Sequence, residues 1–302
     1  MMKKLLLIFT TLLLGHAAVV ANDIEPKKYN DGPYVILEED RFVTYNVVEG
    51  KLQTKSSPND APFDINITPS AKIDINPEGG WSAIPSTKFT TDQPIVALSD
   101  IHGQYDVFEH LLIANEVMNK EMEWTLGKGN LVIVGDVMDR GDKVMECLWL
   151  IYHLEQEAEK AGGKVHFLLG NHELMVMNGH LDYLNKKYYY TSALLKRPYN
   201  TLFGTNTLLG QWLQSKNVIL QLNDKVFVHG GLSQQAMSIG LTIDEINRTF
   251  RENIYYKKSE EIAQVPELST LYFEDGPLWY RGYAFPYSFN KNGIDSLRTA
   301  LD

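Results

Sequence analysis

The sequence predicts an α/β fold, and three observations support that prediction. After Pro94, apolar strand-like runs alternate with helix-length amphipathic segments, which is the pattern of α/β architecture. The 302 residues are 44% hydrophobic and 22% charged, a composition typical of globular proteins that bury a core. Four apolar runs end in a burst of polar residues, at positions 99–106, 135–142, 170–173 and 229–233. We therefore expect an α/β domain over residues 93–302, with its chemistry at the ends of strands.

The first residues have the layout of a secretory signal peptide. Lys3 and Lys4 precede an apolar stretch over residues 5–14, and small residues follow up to Ala21. The alternative is an uncleaved membrane anchor, but the apolar stretch is shorter than the roughly 20 residues that span a bilayer. We expect a signal peptide over residues 1–21, no stable membrane insertion after its cleavage, and export, most simply to a bacterial periplasm.

Residues 22–92 predict a small β-rich segment ahead of the main domain. The β-prone pieces "PYVILEE" and "RFVTYNVV" are separated from later ones by "EGK", "SSPNDAP" and "NPEGG". Such turn-rich separators are typical of short antiparallel strands.

The charge and the cysteine content argue against a nucleic-acid-binding protein and against a protein stabilised by internal disulfides. A formal net charge of −10 argues against a nucleic-acid partner, because binding of backbone phosphates requires a basic surface. The single cysteine, Cys147, cannot form an internal disulfide and lies in the apolar stretch "VMECLWLIYHL". We expect it to pack in the core.

Each of the four polar bursts directly follows a predicted strand. "SDIHGQYD" follows "PIVAL", "GDVMDRGD" follows "NLVIV", "GNHE" follows "KVHFLL" and "HGGLS" follows "KVFV". Because ligands collect beyond the carboxyl ends of strands in α/β sheets, we expect the four bursts to converge. They carry oxygen and imidazole donors that suit Mn²⁺, Zn²⁺ or iron, namely Asp100, His102, Asp136, Asn171 and His229.

Asp136 is the residue best placed to join two cations. It lies between the other donors in chain order, and the two oxygens of a carboxylate can each bind one metal. Two metals about 3.5–4 Å apart can bind both the attacking and the leaving oxygen of a phosphoryl displacement. The adjoining glycines, Gly103, Gly135, Gly170 and Gly230, are expected to let the backbone turn tightly where strand gives way to loop.

Together, these motifs resemble those of the calcineurin-like metallophosphoesterases, and within them the phosphoprotein phosphatase family. The resemblance covers roughly residues 94–281, and "GPLWYRGY" at positions 276–283 is similar to the bacterial Shewanella-like phosphatase branch. It implies two mixed β-sheets in a sandwich flanked by helices. It also implies hydrolysis of phosphate monoesters, on a phosphoprotein or a small aryl phosphate, by hydroxide held between two divalent metal ions, with Mn²⁺ favoured over Fe or Zn²⁺.

The resemblance also implies a role for each metal ligand. Asp100 and His102 match ligands of the first metal, and Asp136 matches the bridging carboxylate. Asn171 and His229 match ligands of the second metal.

Four other residues match the family's catalytic groups. His172 matches the histidine that protonates the leaving oxygen, and Asp139 matches the acid that orients it, a pairing that keeps an imidazole ready to donate near neutral pH. Arg140 and Arg281 match two arginines that bind phosphate oxygens. A guanidinium suits that role because its planar fork binds two oxygens at once.

The sequence departs from the family pattern near its end. The pattern has one more histidine ligand for the second metal, on a strand after the region of Arg281, but no histidine follows His229. We expect the C-terminal part of the domain to be missing, either because the chain is a fragment or because the natural product is shortened. Three protein ligands and water can still make a working metal site.

Two rival functions stay open at this point. A nucleotide or dinucleotide phosphoesterase uses similar ligands, and a non-catalytic metal-binding protein would fit the absence of the last histidine. The basic, aromatic run at 186–200 is either an ordinary helix surface or a rim that accepts a phosphotyrosyl substrate. We expect His110, His153 and His166 to be structural or surface residues, and His180 to be either structural or part of the substrate entrance.

Overall fold

The computed structural model describes residues 28–68, 71–76 and 83–283. The predicted signal peptide and the position of the family's last histidine ligand both lie outside the described residues. None of the helices formed by the described residues combines the length and apolar character that a membrane-spanning segment requires.

The β-rich segment ahead of the main domain is confirmed. It forms a three-stranded antiparallel sheet of β1 (Asp31–Glu38), β2 (Arg41–Val48) and β3 (Lys51–Pro58), with β2 in the centre. A hairpin of β4 (Phe63–Thr68) and β5 (Ala71–Ile75) follows. Turns at residues 39–40 and 49–50 join β1 to β2 and β2 to β3, the second of them at the predicted separator "EGK".

The main domain has the predicted α/β organisation around two small sheets. The strands are β6 (Lys88–Phe89), β7 (Ile95–Leu98), β8 (Asn130–Val134), β9 (Lys164–Leu168), β10 (Ile219–Leu222) and β11 (Lys225–Val228). β7, β8 and β9 form a parallel sheet in that order, and β10 pairs with β11 antiparallel and with β6 parallel. An isolated parallel bridge between Leu168 and Asn217 connects the first sheet to the segment before β10.

The helices connect and cover these strands. They are α1 (Tyr105–Ala114), α2 (Val144–Ala161), α3 (Asn171–Met177), α4 (Lys186–Leu195), α5 (Leu208–Ser215), α6 (Gln234–Ser238), α7 (Ile243–Thr249), α8 (Ser259–Ile262) and α9 (Pro266–Tyr272), with a 3₁₀ turn at Tyr199–Phe203 and a π turn at Phe250–Ile254. The resemblance implied two mixed sheets, whereas in the described chain one sheet is entirely parallel. The α/β fold class itself is confirmed.

Helix α2 is the central element of the core. Its first half is apolar on all sides, and the residues from Val144 to Ile151 are buried apart from the partly exposed Glu146. Cys147 is fully buried there, as predicted. Trp149 donates its indole N–H to the carbonyl of Pro33 at 2.9 Å, which anchors the N-terminal sheet on the helix. The helix ends at Gly162, whose left-handed conformation (φ 78°) closes its last turn.

Candidate metal centre

The four predicted loops meet at one edge of the parallel sheet. Asp100 and His102 follow β7, Asp136 follows β8, Asn171 begins α3 after β9, and His229 follows β11. The loops after β7 and β8 continue to pair beyond the strands, since the backbone N–H of His102 donates to the carbonyl of Asp136 at 2.9 Å. The sequence prediction that these loops converge is therefore confirmed.

Asp136 lies at the centre of the site. Its Oδ2 is 3.3 Å from Nε2 of His229, 3.6 Å from Nε2 of His102 and 3.9 Å from Nε2 of His172. Among the described residues, two groups of three side chains can each hold a metal ion, and Asp136 belongs to both. One group adds His102 and His172, and the other adds Asp100 and His229. This arrangement fits the bridging role that the resemblance implied for Asp136.

Backbone carbonyls set which nitrogen of two histidines faces the centre. Nδ1 of His102 lies 2.7 Å from the carbonyl oxygen of Met138, and Nδ1 of His229 lies 2.8 Å from that of Val134. Each Nδ1 must carry the proton to make this bond, so each Nε2 presents its lone pair toward the carboxylate of Asp136. Lone pairs of nitrogen and oxygen facing each other across 3.3 to 3.6 Å are stabilised by a cation between them. The donor set therefore fits a metal centre.

Burial and neighbouring charges shift the pKa values of these groups in opposite directions. Burial lowers the pKa of His102, which keeps that imidazole neutral and able to bind a metal. Burial also acts to lower the pKa of His229, but the hydrogen bond that the protonated ring would donate from Nε2 to Asp136, together with the charge of that carboxylate, raises it overall. Burial would raise the pKa of Asp136, and the interactions with His229 and His172 outweigh it, so the pKa is lowered. The central carboxylate is ionised near neutral pH.

Strained backbone is concentrated at the site. Five residues that are not glycine adopt positive φ there: Asp100 (57°), His102 (46°), Asp136 (57°), Asp139 (67°) and Arg140 (64°). Such conformations cost about 1–3 kcal/mol each and persist where the surroundings hold them. The loops therefore place these side chains at the expense of local stability, which is typical of functional sites.

The glycines of the motifs do not all act as predicted. Gly103 (φ 63°) and Gly135 (φ 79°) adopt the left-handed conformation expected of a tight turn. Gly170 is extended, and a Cβ there would lie 2.2 Å from Oδ1 of Asp136. Gly230 likewise needs space rather than a turn, because a Cβ would lie 2.8 Å from the carbonyl oxygen of Pro277. The prediction of a turn is wrong for these last two, which instead allow close approach.

The predicted proton donor is held as the sequence suggested. Nδ1 of His172 lies 2.8 Å from Oδ2 of Asp139, and both side chains are almost completely buried. Nε2 of His172 then points to the centre, 3.4 Å from a guanidinium nitrogen of Arg140. This geometry allows Nε2 either to donate a proton or to bind a metal, so the catalytic role of His172 stays a prediction.

The two predicted arginines both reach the centre. Arg140 approaches from the His172 side, and Arg281 donates to Oδ1 of Asn171 at 3.5 Å. Both residues are exposed, so their guanidinium groups are open to a ligand. Arg281 also lines an open cavity of about 250 Å³ together with Asp100 and His229. The structure thus brings all nine predicted site residues together.

Sequence reasoning gave no role to Glu173, the last residue of "GNHE". Its side chain is completely buried, and its two oxygens accept hydrogen bonds from four backbone N–H groups. Oε1 binds Val137 and Met138 at 2.7 and 2.9 Å, and Oε2 binds Asp136 and Gly170 at 2.8 and 2.7 Å. Glu173 therefore joins the loops after β8 and β9. Glu173 stands three residues after the N-cap Gly170 and accepts its N–H, which is the glutamate half of a helix capping box; this spacing was the available signal.

Tyr183 is a second residue that sequence reasoning missed. Its ring centroid is 5.1 Å from that of His172, and the guanidinium carbon of Arg140 lies 5.9 Å from it. The residue is 51% exposed. Tyr183 therefore offers an open aromatic face beside the predicted proton donor. It precedes the 186–200 run, of which Tyr188 and Tyr199 are buried in the core whereas Tyr189 is 46% exposed.

The other histidines are mostly structural, as expected. His153 binds the carbonyl of Met122 at 3.2 Å, and the buried His166 binds Asn130 at 3.0 Å. His110 is exposed on α1. His180 is partly buried, and no contact links it to the centre within the described part of the chain.

Comparison with known proteins gives consistent results. The profile of the calcineurin-like phosphoesterases matches residues 93–293. Shewanella-like protein phosphatase 2 of Arabidopsis thaliana is 36% identical over 104 residues, which are 34% of this chain and 27% of that protein. Shewanella-like protein phosphatase 1 of Plasmodium berghei is 25% identical over 189 residues, 61% of this chain and 51% of that protein. The chain thus matches only part of the length of these relatives.

A solved structure matches over more of its length. The cold-active protein-tyrosine phosphatase of a psychrophilic Shewanella species has a TM-score of 0.83 and 36% sequence identity, covering 90% of this chain and 81% of that one. The match with the family profile spans most of the main domain and includes every predicted site residue. With its histidines and carboxylates gathered around Asp136, the chain belongs to the calcineurin-like phosphoesterase family.

Proposed function

We propose that the protein is a metal-dependent phosphomonoesterase that acts on phosphoproteins or small aryl phosphates. One observation carries the proposal: Asp136 is shared by two groups of metal-binding side chains, with two exposed guanidinium groups and a carboxylate-bound histidine around it. Metal binding alone requires neither anion-binding arginines nor a buried histidine–aspartate pair. Their presence favours an enzyme over a non-catalytic metal-binding protein.

Two divalent cations fit the donor set, and we propose Mn²⁺, with Fe or Zn²⁺ as alternatives. Asp100, His102, Asp136, Asn171 and His229 are the residues that would hold them. When bound, such ions polarise phosphoryl oxygens and lower the pKa of water at the site. The donors are oxygen and imidazole without any thiolate, a set that suits these metals better than Cu(I), which prefers thiolate and thioether ligands.

The arginines orient the substrate. Arg140 and Arg281 project from the loop after β8 and from the segment after α9, so a phosphate group placed at the centre meets a guanidinium from each. Planar guanidinium groups bind two phosphate oxygens at a time and stay charged at every physiological pH. They also offset the negative charge of Asp136, which would otherwise repel the substrate.

His172 supplies the proton that the leaving oxygen requires. Asp139 accepts the Nδ1 proton of His172 at 2.8 Å, which fixes the ring and directs Nε2 toward the centre. Nε2 is thereby placed to deliver a proton to the leaving oxygen when its bond to phosphorus breaks.

Phosphotyrosine is the substrate that we favour. Tyr183 presents an exposed ring between His172 and Arg140, where it can stack on an aryl leaving group. The similar Shewanella protein is a protein-tyrosine phosphatase, which supports this choice. A dinucleotide would also stack, so a direct comparison of substrates is needed.

The substrate proposal is tested by rates on a phosphotyrosyl peptide, a phosphoseryl peptide and diadenosine tetraphosphate. We expect the phosphotyrosyl peptide to react fastest. Tyr183→Ala should lower kcat/KM for it by about tenfold, the upper end of an aromatic contact, while the exposed Tyr189→Ala serves as the control. Fastest hydrolysis of the dinucleotide would contradict the proposal.

The role of His172 is tested by varying the leaving group. His172→Asn should slow hydrolysis of phenyl phosphate by about 10²–10⁴-fold, the usual contribution of a proton donor. The loss should be smaller for 4-nitrophenyl phosphate, whose leaving oxygen needs no proton. An exposed histidine gives the control His110→Asn. Equal losses on both esters would assign His172 to metal binding instead.

We also propose that the mature protein works outside the cytoplasm. Support comes from the basic, apolar and small-residue pattern of positions 1–21. Expression of the full chain in a Gram-negative bacterium, followed by fractionation and N-terminal sequencing, tests this. An intact N-terminus in the cytoplasmic fraction would contradict it.

A further inference from the structure

The loop after β8 is held by the start of helix α4. Three side chains there each bind one backbone group of the loop. They are Asn185, which donates from Nδ2 to the carbonyl of Arg140 at 2.9 Å, Lys187, whose ammonium group donates to the carbonyl of Asp142, and Tyr188, whose hydroxyl accepts from the N–H of Val144 at 2.8 Å. Every second residue of this part of the loop is therefore fixed by the beginning of one helix.

Arg140 is the loop residue that needs this support most. It follows Asp139, and the two residues adopt positive φ (64° and 67°), a conformation that residues other than glycine keep only where the surroundings hold them in it. The N–H of Arg140 donates to the carbonyl of Tyr183 at 2.9 Å, and its carbonyl accepts from Asn185. Both backbone groups of Arg140 are thus bound by the segment that leads into α4.

The backbone of Arg140 decides where its guanidinium group points. In the observed conformation, a guanidinium nitrogen lies 3.4 Å from Nε2 of His172, and the guanidinium carbon lies 5.9 Å from the ring centroid of Tyr183. Because a long side chain amplifies any change in backbone dihedral angles, release of the Arg140 carbonyl would let the guanidinium group move away from the centre. The contact with Asn185 therefore bears on anion binding.

The orientation of the Asn185 amide follows from its two partners. Oδ1 accepts from the N–H of Lys187 at 3.1 Å, which caps α4, and Nδ2 donates to the carbonyl of Arg140. A backbone N–H can only donate and a carbonyl can only accept, so a flipped amide would lose both contacts. Each half of the amide thus has a separate task.

Helix α4 is not free to follow the loop, because it is tied to the N-terminal sheet. Nζ of Lys187 lies 3.4 Å from Oδ1 of Asp31 in β1, and the hydroxyl of Thr191 donates to Oδ2 of Asp31 at 2.5 Å. Asp31 and Thr191 are both buried. The N-terminal sheet therefore holds the helix that holds the loop.

We propose that Asn185 is a positioning residue for Arg140. Its amide keeps the strained backbone of Arg140 in the conformation that directs the guanidinium group to a phosphate at the metal centre. Asn185 lies outside the four motifs that surround the centre, and it acts through Arg140. The inference rests on the proposed function, which assigns Arg140 to phosphate binding.

The test is calorimetric titration of the purified chain, supplied with Mn²⁺, with inorganic phosphate. Asn185→Ser keeps an oxygen that caps α4, since serine is about as good an N-cap as asparagine, but its short side chain does not reach Arg140. Asn185→Ala loses the cap as well. We expect both variants to bind phosphate about three- to tenfold more weakly, the effect of one hydrogen bond, and Asn185→Ala to have the lower Tm.

A double-mutant cycle with Arg140→Ala separates positioning from general structural support. If Asn185 acts through Arg140, then adding Asn185→Ser to Arg140→Ala weakens phosphate binding no further than Arg140→Ala alone. The control is Asn119→Ser, which changes an asparagine that closes the turn to Glu123. This variant should bind phosphate as the parent does.

Two results would overturn the proposal and leave the proposed function standing. One is parental phosphate affinity in Asn185→Ser, which would make helix capping the only role of Asn185. The other is an equal loss from Asn185→Ser in the presence and in the absence of Arg140. A parent that binds phosphate but does not hydrolyse 4-nitrophenyl phosphate would contradict the proposed function, while the affinities still decide the role of Asn185. A parent that binds no phosphate would overturn both.

Discussion

Replacement of Glu173 by glutamine should weaken both the fold and the metal centre. The carboxylate accepts four backbone N–H groups at 2.7 to 2.9 Å, and in glutamine one of its oxygens becomes an NH₂ group. Two backbone N–H groups then face a donor instead of an acceptor. Each buried, unsatisfied donor costs about 1–3 kcal/mol, and relief from burying a charge offsets part of the sum. We expect the free energy of unfolding to fall by about 3 kcal/mol.

The protonation state of Glu173 decides whether this reasoning holds. Burial and the charge of Asp136 raise the pKa of Glu173, and hydrogen bonds from the backbone N–H groups of Met138, Gly170 and Asp136 oppose them. A protonated carboxyl would have to point its own proton at one of those N–H groups, since each oxygen already accepts two. The ionised form therefore satisfies the pocket and the neutral form does not.

Urea unfolding followed by circular dichroism measures the effect. The matched control is Glu159→Gln, an exposed carboxylate on α2, which should leave the unfolding free energy unchanged within error. Mn²⁺ affinity should also fall by about 10–100-fold in Glu173→Gln, as when groups supporting metal ligands are removed. A variant as stable as the parent, with unchanged Mn²⁺ affinity, would refute an ionised Glu173 that joins the two loops.

Two further predictions concern stability away from the centre. Burial lowers the pKa of His166 to about 4, whereas a histidine in the unfolded chain titrates near about 6.5. As the pH falls from 6.5 to 4, the unfolded state therefore takes up a proton before the folded state does, and the parent should lose about 3 kcal/mol of unfolding free energy relative to His166→Gln. His110→Gln is the control. Parallel pH curves of parent and His166→Gln would contradict this. Lys216→Met leaves the partly buried Glu155 without its ammonium partner at 2.7 Å and should lower the unfolding free energy, measured in urea, by about 3 kcal/mol. The control Lys225→Met, which removes one member of an exposed pair, should not change stability. Equal effects of the two substitutions would contradict the reasoning.

The position of the site could be predicted because the end of a strand can be recognised from a short stretch of sequence. Each motif directly follows an apolar run, and parallel strands place their carboxyl ends at one edge of a sheet. Asp100, His102 and Asp136 could therefore be assigned to one centre from the strand-like runs that precede them and from their donor atoms. The sandwich arrangement came only from the family resemblance, since sheet packing depends on contacts between distant segments.

The residues that sequence patterns did not reveal are those whose role depends on contacts between distant parts of the chain. Glu173 matters because four N–H groups from two loops converge on it, and no periodicity in the sequence signals that convergence. Tyr183 gains its position from the fold of the chain after α3, not from a motif. The sequence predicts a turn at Gly170, whereas the residue is constrained by the carboxylate of Asp136, whose Oδ1 would lie 2.2 Å from a Cβ there.

The most direct test of the two-metal proposal uses Asp136. Metal content and hydrolysis of 4-nitrophenyl phosphate with added Mn²⁺ should be measured for the parent and for Asp136→Asn, with circular dichroism to verify the fold. We predict that the parent binds two ions per chain and hydrolyses the ester, and that the variant binds fewer ions and loses activity by about 10²-fold or more. An Asp136→Asn protein that hydrolyses the ester as fast as the parent would contradict the account.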